Sequence, residues 1–321
     1  MLASVRHCLR VIRIGRTLAR YNALFPFELL PQALPFLRLA RPFVNKRAKG
    51  RPGQRLAAAL EEMGPSFIKF GQSLATRTDL LGDAIAHDLA TLQDRLPSFP
   101  VEAARRMIET DLGQPVERVF SEFVEKPVAA ASIAQVHFAV TTTGELVAVK
   151  VLRPGIEQAI ERDLVFFGWL ARLVERTQPH LRHYQPVEAV AIFAAATRRE
   201  LDLRLEAAAA VELAENCHDD PGFRVPNVDW QRTGRRVFTM ERITGAHATD
   251  RATLLQAGLD PDAIMENAAK VFFNQVFRDG FFHGDMHPGN ILIDADGTIV
   301  ALDFGIMGRV DMADRRHMAE I

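Results

Sequence analysis

Two short segments near the C-terminal end of the sequence contain the residue types that phosphoryl transfer requires. HGDMHPGN spans residues 283–290, so Asp285 and Asn290 lie five residues apart in a loop that precedes the apolar segment ILI. Asp303 follows thirteen residues after Asn290, in the tripeptide DFG that ends the next apolar segment. A loop carboxylate can orient the proton of an attacking hydroxyl, and amide and carboxylate oxygens are ligands that Mg²⁺ prefers. The spacing predicts a catalytic Asp285 and a magnesium site formed by Asn290 and Asp303.

A transition-metal site is the competing interpretation of this loop, because His283 and His287 form an HxxxH pair. The sequence has no HExxH, and Pro288 places the pair in a loop rather than on a helix. We therefore expect His283 to brace the loop through hydrogen bonds. The two cysteines, Cys8 and Cys217, have no CxxC spacing and support neither a zinc site nor a disulfide framework.

Lys150 ends the segment VAVK, in the middle of an apolar stretch that predicts a buried strand. Burying a lysine is costly unless a negative charge accompanies it. The long helix predicted downstream offers Glu200, Asp202 and Glu206, with Glu200 and Glu206 less than two turns apart. The alternatives are a lysine at a sheet edge that reaches solvent and a solvated acidic helix face. The apolar neighbours of Lys150 favour a buried ion pair.

The elements that must position these residues follow from hydrophobic periodicity and turn residues. A break at Gly64-Pro65 divides the helical stretch from Leu56 to about Thr110. Thr-Thr-Thr-Gly predicts a turn between strands at 128–139 and 145–152, and Asp296-Gly297 predicts a hairpin between two later strands. The remaining predicted elements are helices at 156–177, 186–217 and 261–279 and a strand at 236–243.

The N-terminal 60 residues are strongly basic, with 12 Lys and Arg against Glu28, although the whole chain has a net charge of −1. Residues 1–48 predict basic helical segments broken by Pro26, Pro31, Pro35 and Pro42. The first segment alternates arginines with apolar residues at helical spacing, which fits an amphipathic helix on an anionic membrane, a transit-like peptide, or a helix packed on its own domain. No apolar run approaches the ~20 residues that span a bilayer.

Together the motifs resemble the UbiB family of atypical kinases, called ADCK in animals, over roughly residues 55–310. They occur in the family's order: KFGQ with Lys69, Gly71 and Gln72; AAAS at 129–132; Lys150; Glu200, Asp202 and Glu206; HGDMHPGN; and LDFG at 302–305. The resemblance implies an α+β, protein-kinase-like bilobal fold with an added helical N-terminal extension. It divides the chain into a basic membrane-proximal arm (1–50), a helical extension with the KxGQ motif (51–113), an N-lobe (114–245) and a partial C-lobe (246–321).

The same resemblance assigns roles to individual residues around a bound ATP or ADP and Mg²⁺. Lys150 and Glu206 would form the ion pair that orients the phosphates, with Asp285 as the catalytic carboxylate and Asn290 and Asp303 as metal ligands. Four residues would be regulatory: Lys69 and Gln72 on the extension, and Glu200 and Asp202, which fix it and line the nucleotide site. The hinge beside adenine would be formed by Met240, Glu241 and Ile243.

An alanine-rich loop stands where an ordinary protein kinase has a glycine-rich loop over the phosphates. Ala129, Ala130, Ala131 and Ser132 still offer backbone N–H groups to a nucleotide, but their Cβ atoms restrict how closely the backbone can approach it. We predict that these residues contact the nucleotide in an altered pose. The resemblance implies that such a loop disfavours phosphorylation of proteins.

The resemblance further implies a function in ubiquinone biosynthesis, as an ATPase or small-molecule kinase at a membrane. The expected partners are a nucleotide, an anionic membrane surface, lipid or phenolic quinone precursors, and other quinone-biosynthesis proteins. We expect the cytoplasmic side of a bacterial inner membrane rather than a mitochondrion. Nucleic acid is not expected, because aromatic residues are not interleaved with the basic ones. An aminoglycoside- or choline-kinase-like phosphotransferase and a non-catalytic nucleotide-dependent scaffold remain alternatives.

The chain stops sixteen residues after Gly305, whereas members of the resembled family continue through the rest of the C-lobe. The expectation is therefore a truncated C-lobe that exposes apolar surface.

Overall fold

The structure is a computed structural model that describes residues 2–25, 41–45, 47–92 and 96–320. The predicted helical segments around Pro26, Pro31 and Pro35 lie outside the described residues.

Helices provide most of the regular structure. In chain order they are α1 (Leu2–Arg20), α2 (Pro52–Met63), α3 (Pro65–Ala75), α4 (Thr78–Leu81), α5 (Asp83–Ala90), α6 (Val101–Leu112), α7 (Val116–Val119), α8 (Ile156–Thr177), α9 (Pro186–Glu200), α10 (Leu203–Asn216), α11 (Arg251–Gln256), α12 (Pro261–Phe273) and α13 (Met312–Ala319).

The strands are short and lie in the C-terminal two thirds of the chain. They are β1 (Phe120–Phe123), β2 (Ala129–Ala130), β3 (Ala134–Thr141), β4 (Leu146–Leu152), β5 (Phe223–Arg224), β6 (Val237–Glu241), β7 (Ala246–His247), β8 (Phe281–His283), β9 (Ile291–Ile293), β10 (Ile299–Ala301) and β11 (Met307–Arg309). This mixture of helix and sheet confirms the predicted α+β class.

Two compact units share the chain. The first comprises Met1–Pro97, Ala130–Ile133 and Gly155–Arg198, and the second comprises Ser98–Ala129, Ala134–Pro154 and Arg199–Ile321. Each unit therefore takes several separate stretches of sequence.

The first unit is helical, with α2, α3 and α5 packed on one another and α8 packed on α3. The predicted break at Gly64-Pro65 is confirmed, because Gly64 ends α2 at a φ of 104° and α3 begins at Pro65. That φ suits glycine, which has no Cβ to clash there. The core contains Phe67, Phe70 and Phe167, with ring centroids 5.0 Å apart for Phe67–Phe167 and 4.9 Å for Phe70–Phe167.

The first helix, α1, is confirmed as amphipathic, and it packs on its own unit. Leu18 and Ala19 are buried, His7 stacks on Trp169 with 5.1 Å between ring centroids, and Arg10 forms an ion pair with Asp163. A different face, which includes Leu9 and Ile12, is exposed.

The first sheet has five strands: β1, β3, β4 and β6 lie in that order, each antiparallel to its neighbour, and β2 pairs with β3 off this path. The predicted hairpin around the Thr-Thr-Thr-Gly turn is confirmed by the β3–β4 pairing, in which Val136 lies opposite Lys150. The first of its strands was predicted to run unbroken from 128, which is wrong, because the chain bends between β2 and β3. Helix α6 packs against this sheet, with Ala104 and Ile108 in a core shared with Val149 and Val151.

The second sheet has the order β5-β10-β9-β7, and β11 pairs with β8 beside the loop at 283–290. The predicted hairpin at Asp296-Gly297 is confirmed, because β9 and β10 pair antiparallel across that turn. Val300 of β10 lies opposite Arg224 of β5 in parallel register.

Two predicted helices differ from the structure. The single helix at 186–217 is wrong, because α9 ends at Glu200 and α10 begins at Leu203. Asp202 is the N-cap of α10 and accepts a hydrogen bond from the Arg204 backbone, which makes a new helix start there favourable. The helix predicted at 261–279 ends as α12 at Phe273, and a π-helical turn at Asn274–Asp279 continues it.

Candidate active site

Lys150 lies in the centre of the first sheet, with paired strands on both sides. Its neighbours across the strands are Val136 on β3 and Phe238 on β6. Successive side chains of a strand alternate between the two faces of a sheet, so Lys150 points away from the core that holds Val149 and Val151. Its side chain is only 15% exposed.

Two carboxylates hold the Lys150 ammonium. Nζ lies 2.6 Å from Oε1 of Glu206 and 3.3 Å from Oδ2 of Asp303. Burial opposes the charged form of the lysine, but the negative charges of Asp303 and Glu206 outweigh burial and raise the pKa of Lys150 above its usual value. The Lys150 ammonium thus forms ion pairs with two carboxylates that lie far apart in the sequence.

Glu206 reaches this position from the first turn of α10. The start of the helix is fixed by the Asp202 cap and by a 2.9 Å hydrogen bond from the Leu203 backbone N–H to the Arg235 carbonyl. Burial raises the pKa of Glu206 above its usual range, Lys150 opposes that rise, and the charge of Asp303 adds to it. Because a single ammonium cannot fully compensate both carboxylates, the trio carries a net negative charge when all three groups are ionised.

The loop at 283–290 connects β8 to β9 and holds Asp285 close to Asn290. Nδ2 of Asn290 donates 3.1 Å hydrogen bonds to the carbonyl oxygen and to Oδ2 of Asp285. The amide oxygen of Asn290 is therefore turned away from Asp285, which leaves it free of this hydrogen bond. A 2.9 Å bond from the Leu302 N–H to the Asn290 carbonyl ties the loop to the segment that carries Asp303.

The imidazole of His283 links Asp285 and Asp303 through hydrogen bonds to their backbones. Its Nδ1 accepts a 3.1 Å hydrogen bond from the Asp285 backbone N–H, so its Nε2 carries the proton and donates to the Asp303 carbonyl. The side chain is buried, and both ring nitrogens are engaged. The predicted bracing function fits these contacts, and a metal at His283 does not.

Asp303 shares its carboxylate between the lysine and its own turn. Oδ2 faces Lys150, while Oδ1 accepts a 2.9 Å hydrogen bond from the Gly305 backbone N–H. The side chain is 47% exposed, far more than that of Lys150 or Glu206. Asp303 is thus the member of the trio most accessible to a ligand from solvent.

The predicted hinge residues lie at the end of β6. Ile243 is buried, and the carboxylate of Glu241 is held by Arg224 and Asn227. The Glu241 side chain is therefore directed at its own fold, and any contact it makes with a nucleotide would be through its backbone. Sequence reasoning missed Arg224 and Asn227, because neither belongs to a recognisable motif.

The other predicted site residues are distributed over both units. Lys69 and Gln72 lie on α3 of the first unit, where Nε2 of Gln72 donates a 3.3 Å hydrogen bond to the Leu92 carbonyl. Glu200 ends α9, and the Asp202 carboxylate binds the Arg204 guanidinium at 2.8 and 2.6 Å. The regulatory functions of these four residues stay predictions.

The alanine-rich loop has little regular structure. Ala129 and Ala130 form β2, and Ser132 is fully buried in the bend that follows. Contact of Ala129, Ala130, Ala131 and Ser132 with a nucleotide stays a prediction.

A second cluster of potential metal ligands in the described residues is an ion-pair network instead. Cys217, Asp220 and Asp279 approach one another, but Arg278 lies 2.7 Å from a carboxylate oxygen of each aspartate. Burial and the charge of Asp220 raise the pKa of the Cys217 thiol to about 12, so it is not the thiolate that a metal requires.

The candidate site thus brings together a buried lysine, the carboxylates of Asp285 and Asp303, and the amide oxygen of Asn290 within one unit. Hard oxygen ligands next to a lysine suit Mg²⁺ and phosphate rather than a soft metal. This is the donor set that phosphoryl transfer requires.

Comparisons with known proteins show which family the chain is similar to. The family profile described as ABC1 atypical kinase-like domain matches residues 91–321. A Marinobacter nauticus protein named probable protein kinase UbiB is 44% identical over 317 residues, which cover 97% of this chain and 58% of that protein. A Pseudomonas paraeruginosa protein of the same name is 42% identical over 320 residues, which cover 97% of this chain and 60% of that protein.

Among solved structures, a Mycobacterium tuberculosis protein in complex with erythromycin is similar, with 28% sequence identity and a TM-score of 0.58. The match covers 88% of this chain and 66% of that protein.

The chain spans about three fifths of the length of the two curated relatives, at 58% and 60%.

Proposed function

Since this chain belongs to the ABC1 atypical kinase-like family, we propose that it binds Mg-ATP and works as an ATPase or small-molecule kinase that supports ubiquinone synthesis at a membrane. The membership confirms the predicted relation to UbiB proteins and the protein-kinase-like fold class. The substrate, the partners and the activity of the whole protein are part of the proposal.

The observation that carries the proposal is the position of Lys150 between Glu206 and Asp303. A buried ammonium with an exposed carboxylate on one side can exchange that carboxylate for a phosphate oxygen without leaving Glu206. Lys150 would then contact the nucleotide phosphates, and Glu206 would keep the lysine oriented. The negative charge of the trio also favours a cation as the next ligand.

Asn290 and Asp303 fit Mg²⁺, because both offer oxygen atoms and the amide of Asn290 is turned with its oxygen away from Asp285. Bound there, Mg²⁺ would neutralise charge on the phosphates. Asp285 would accept the proton of the attacking hydroxyl, and His283 would keep Asp285 and Asp303 in register. The acceptor is water in an ATPase and a phenolic or lipid hydroxyl in a kinase.

The outward face of α1 supports the membrane part of the proposal. Leu9 and Ile12 are exposed there, beside the exposed Arg13 and Arg16. Arg16 also lies over the ring of the exposed Phe43, 5.4 Å from its centroid. Apolar side chains rimmed by arginines suit the surface of an anionic bilayer. None of the helices in the described part of the chain is long and apolar enough to cross a bilayer.

The test of the proposed function is Mg²⁺-dependent turnover of ATP, with and without anionic vesicles. We expect turnover by the unaltered protein and a strong loss of turnover in Asp303→Asn. Asp262→Asn, which removes an exposed carboxylate paired with Arg251, should keep the turnover of the unaltered protein. Turnover that is unchanged in Asp303→Asn would contradict the assigned site. Absence of turnover, with nucleotide binding retained, would favour a non-catalytic scaffold.

A further inference from the structure

An ion-pair network at the end of β6 joins segments that the proposed function leaves unexplained. The Glu241 carboxylate accepts from Nη1 of Arg224 at 3.0 and 3.2 Å and from both the backbone N–H and Nδ2 of Asn227 at 3.2 Å. Nη2 of Arg224 lies 3.5 Å from Oδ2 of Asp294. Three donor groups on one carboxylate fix its orientation more firmly than a single ion pair does.

The segment between Arg224 and Asp229 connects the two sheets of the second unit. At its start, Arg224 pairs with Val300 of β10. At its end, the Asp229 N–H donates a 2.9 Å hydrogen bond to the Thr239 carbonyl, and the Glu241 N–H donates at 2.8 Å to the Asn227 carbonyl. The network lies at this corner, where the chain passes from one sheet to the other.

The two sheets carry different parts of the candidate site. Lys150 lies on β4, whose neighbour β6 ends at Glu241. Asn290 immediately precedes β9, and Asp303 follows β10 by two residues. A change in the angle between the sheets would therefore move the lysine relative to both proposed metal ligands.

We propose that Arg224 is a positioning residue for nucleotide binding: through Glu241 and Asp294 it holds the two sheets so that Lys150 and the pair Asn290 and Asp303 engage one Mg-nucleotide together. This inference rests on the proposed function. It gives the Glu241 carboxylate the task of fixing the corner of the fold. The alternative is an ordinary, partly exposed ion pair of the kind that contributes little.

The test is the affinity for ADP, measured by titration calorimetry with and without Mg²⁺. In Arg224→Gln we expect Mg-ADP binding to weaken about tenfold, because small displacements of positioning groups have large effects. Binding of metal-free ADP, which does not need the second sheet's metal ligands, should change much less. Arg224→Lys keeps the charge and should restore part of the affinity.

Arg251→Gln is the matched control, because it breaks an exposed ion pair with Asp262 in the same unit. Equal affinities in Arg224→Gln and this control would overturn the inference, as would an equal loss with and without Mg²⁺. If Arg224→Gln does not fold, Arg224→Lys is compared with Arg251→Gln in its place. Equal affinities of these two variants for Mg-ADP would likewise overturn the inference. Failure of the unaltered protein to bind ADP would overturn the proposed function itself.

Discussion

Lys150 shows how much of the candidate site can be predicted from the chemistry of single residues. A lysine in a buried strand requires a negative partner, and the sequence offered three acidic candidates downstream. The structure brings Glu206 and Asp303 to the ammonium and directs Asp202 to Arg204 instead. The choice among the three depends on where α10 begins, which the spacing of the acids does not reveal.

Replacing Lys150 by methionine should produce a pH-dependent loss of stability. Glu206 would remain buried beside Asp303 without a cation, so its pKa would rise further above the usual value. A carboxyl group whose pKa is higher in the folded protein than in the unfolded chain contributes stability at pH values below its unfolded-chain pKa. That contribution is lost as the pH rises through its pKa in the folded protein. We expect Lys150→Met to lose ~3 kcal/mol at pH 8 and much less near pH 5.

Urea unfolding of the ligand-free protein at the two pH values measures this difference. Arg251→Met, which removes an exposed cation, should show little loss at either pH. A loss in Lys150→Met that is equal at both pH values would show that Glu206 is not the group left uncompensated.

Arg224 and Asn227 mark the limit of prediction at the residue scale. The motif residues could be found because their types and order carry chemistry. Arg224 acquires its partners only when β5 pairs with β10 and β6 ends beside it, and none of these short pairings has a periodic signal.

At the scale of elements, the long helix predicted at 186–217 fails for a local reason. Its apolar and alanine-rich character continues on both sides of Asp202, so periodicity alone predicts one helix. Asp202 stops it by capping α10, and aspartate is a favourable N-cap. By contrast, the hairpins at 142–145 and 294–298 were predictable, because their turn residues separate apolar strands.

Two glycines inside helices of the first unit should respond to substitution with opposite signs. A Cβ at Gly71 would lie 2.5 Å from Cδ1 of Leu92 and 2.7 Å from Cδ1 of Leu60, whereas at Gly168 the nearest atom is 3.5 Å away. Gly71→Val should therefore destabilise the protein by ~2 kcal/mol through overpacking. Gly168→Ala should stabilise it by up to ~1 kcal/mol through helix propensity.

Thermal unfolding of both variants, with the unaltered protein as reference, checks this pair. A destabilised Gly168→Ala would show that α8 has less space at that position than the structure gives. A neutral Gly71→Val would show that the close approach of α3 to Leu60 and Leu92 is not required.

At the scale of the whole molecule, α1 is expected to bind anionic membranes through its outer face. Leu9→Glu combined with Ile12→Glu should reduce sedimentation with anionic vesicles by roughly tenfold, because it removes apolar area and adds repulsive charge. Ile192→Glu is the matched control, since Ile192 is 66% exposed on α9 of the same unit. Equal losses in both variants would contradict a specific membrane face on α1.

Domain organisation is the level at which sequence reasoning is weakest. The predicted segments 1–50, 51–113, 114–245 and 246–321 are continuous and stay predictions. The compact units are discontinuous, with Gly155–Arg198 grouped with the N-terminal helices. Helical periodicity shows that α8 and α9 exist but not which elements they pack against.

Binding of Mg-ATP at the candidate site is tested most directly by the thermal stabilisation of the unaltered protein and Asp303→Asn by ATP, with and without Mg²⁺. A ligand at 100 times its Kd stabilises the folded state by about 2.7 kcal/mol, which a melting curve resolves. We expect a Mg²⁺-dependent increase in the melting temperature of the unaltered protein and no Mg²⁺ dependence in Asp303→Asn. The same Mg²⁺-dependent increase in both proteins would contradict the assignment of Asp303, and no increase in either would contradict nucleotide binding at this site.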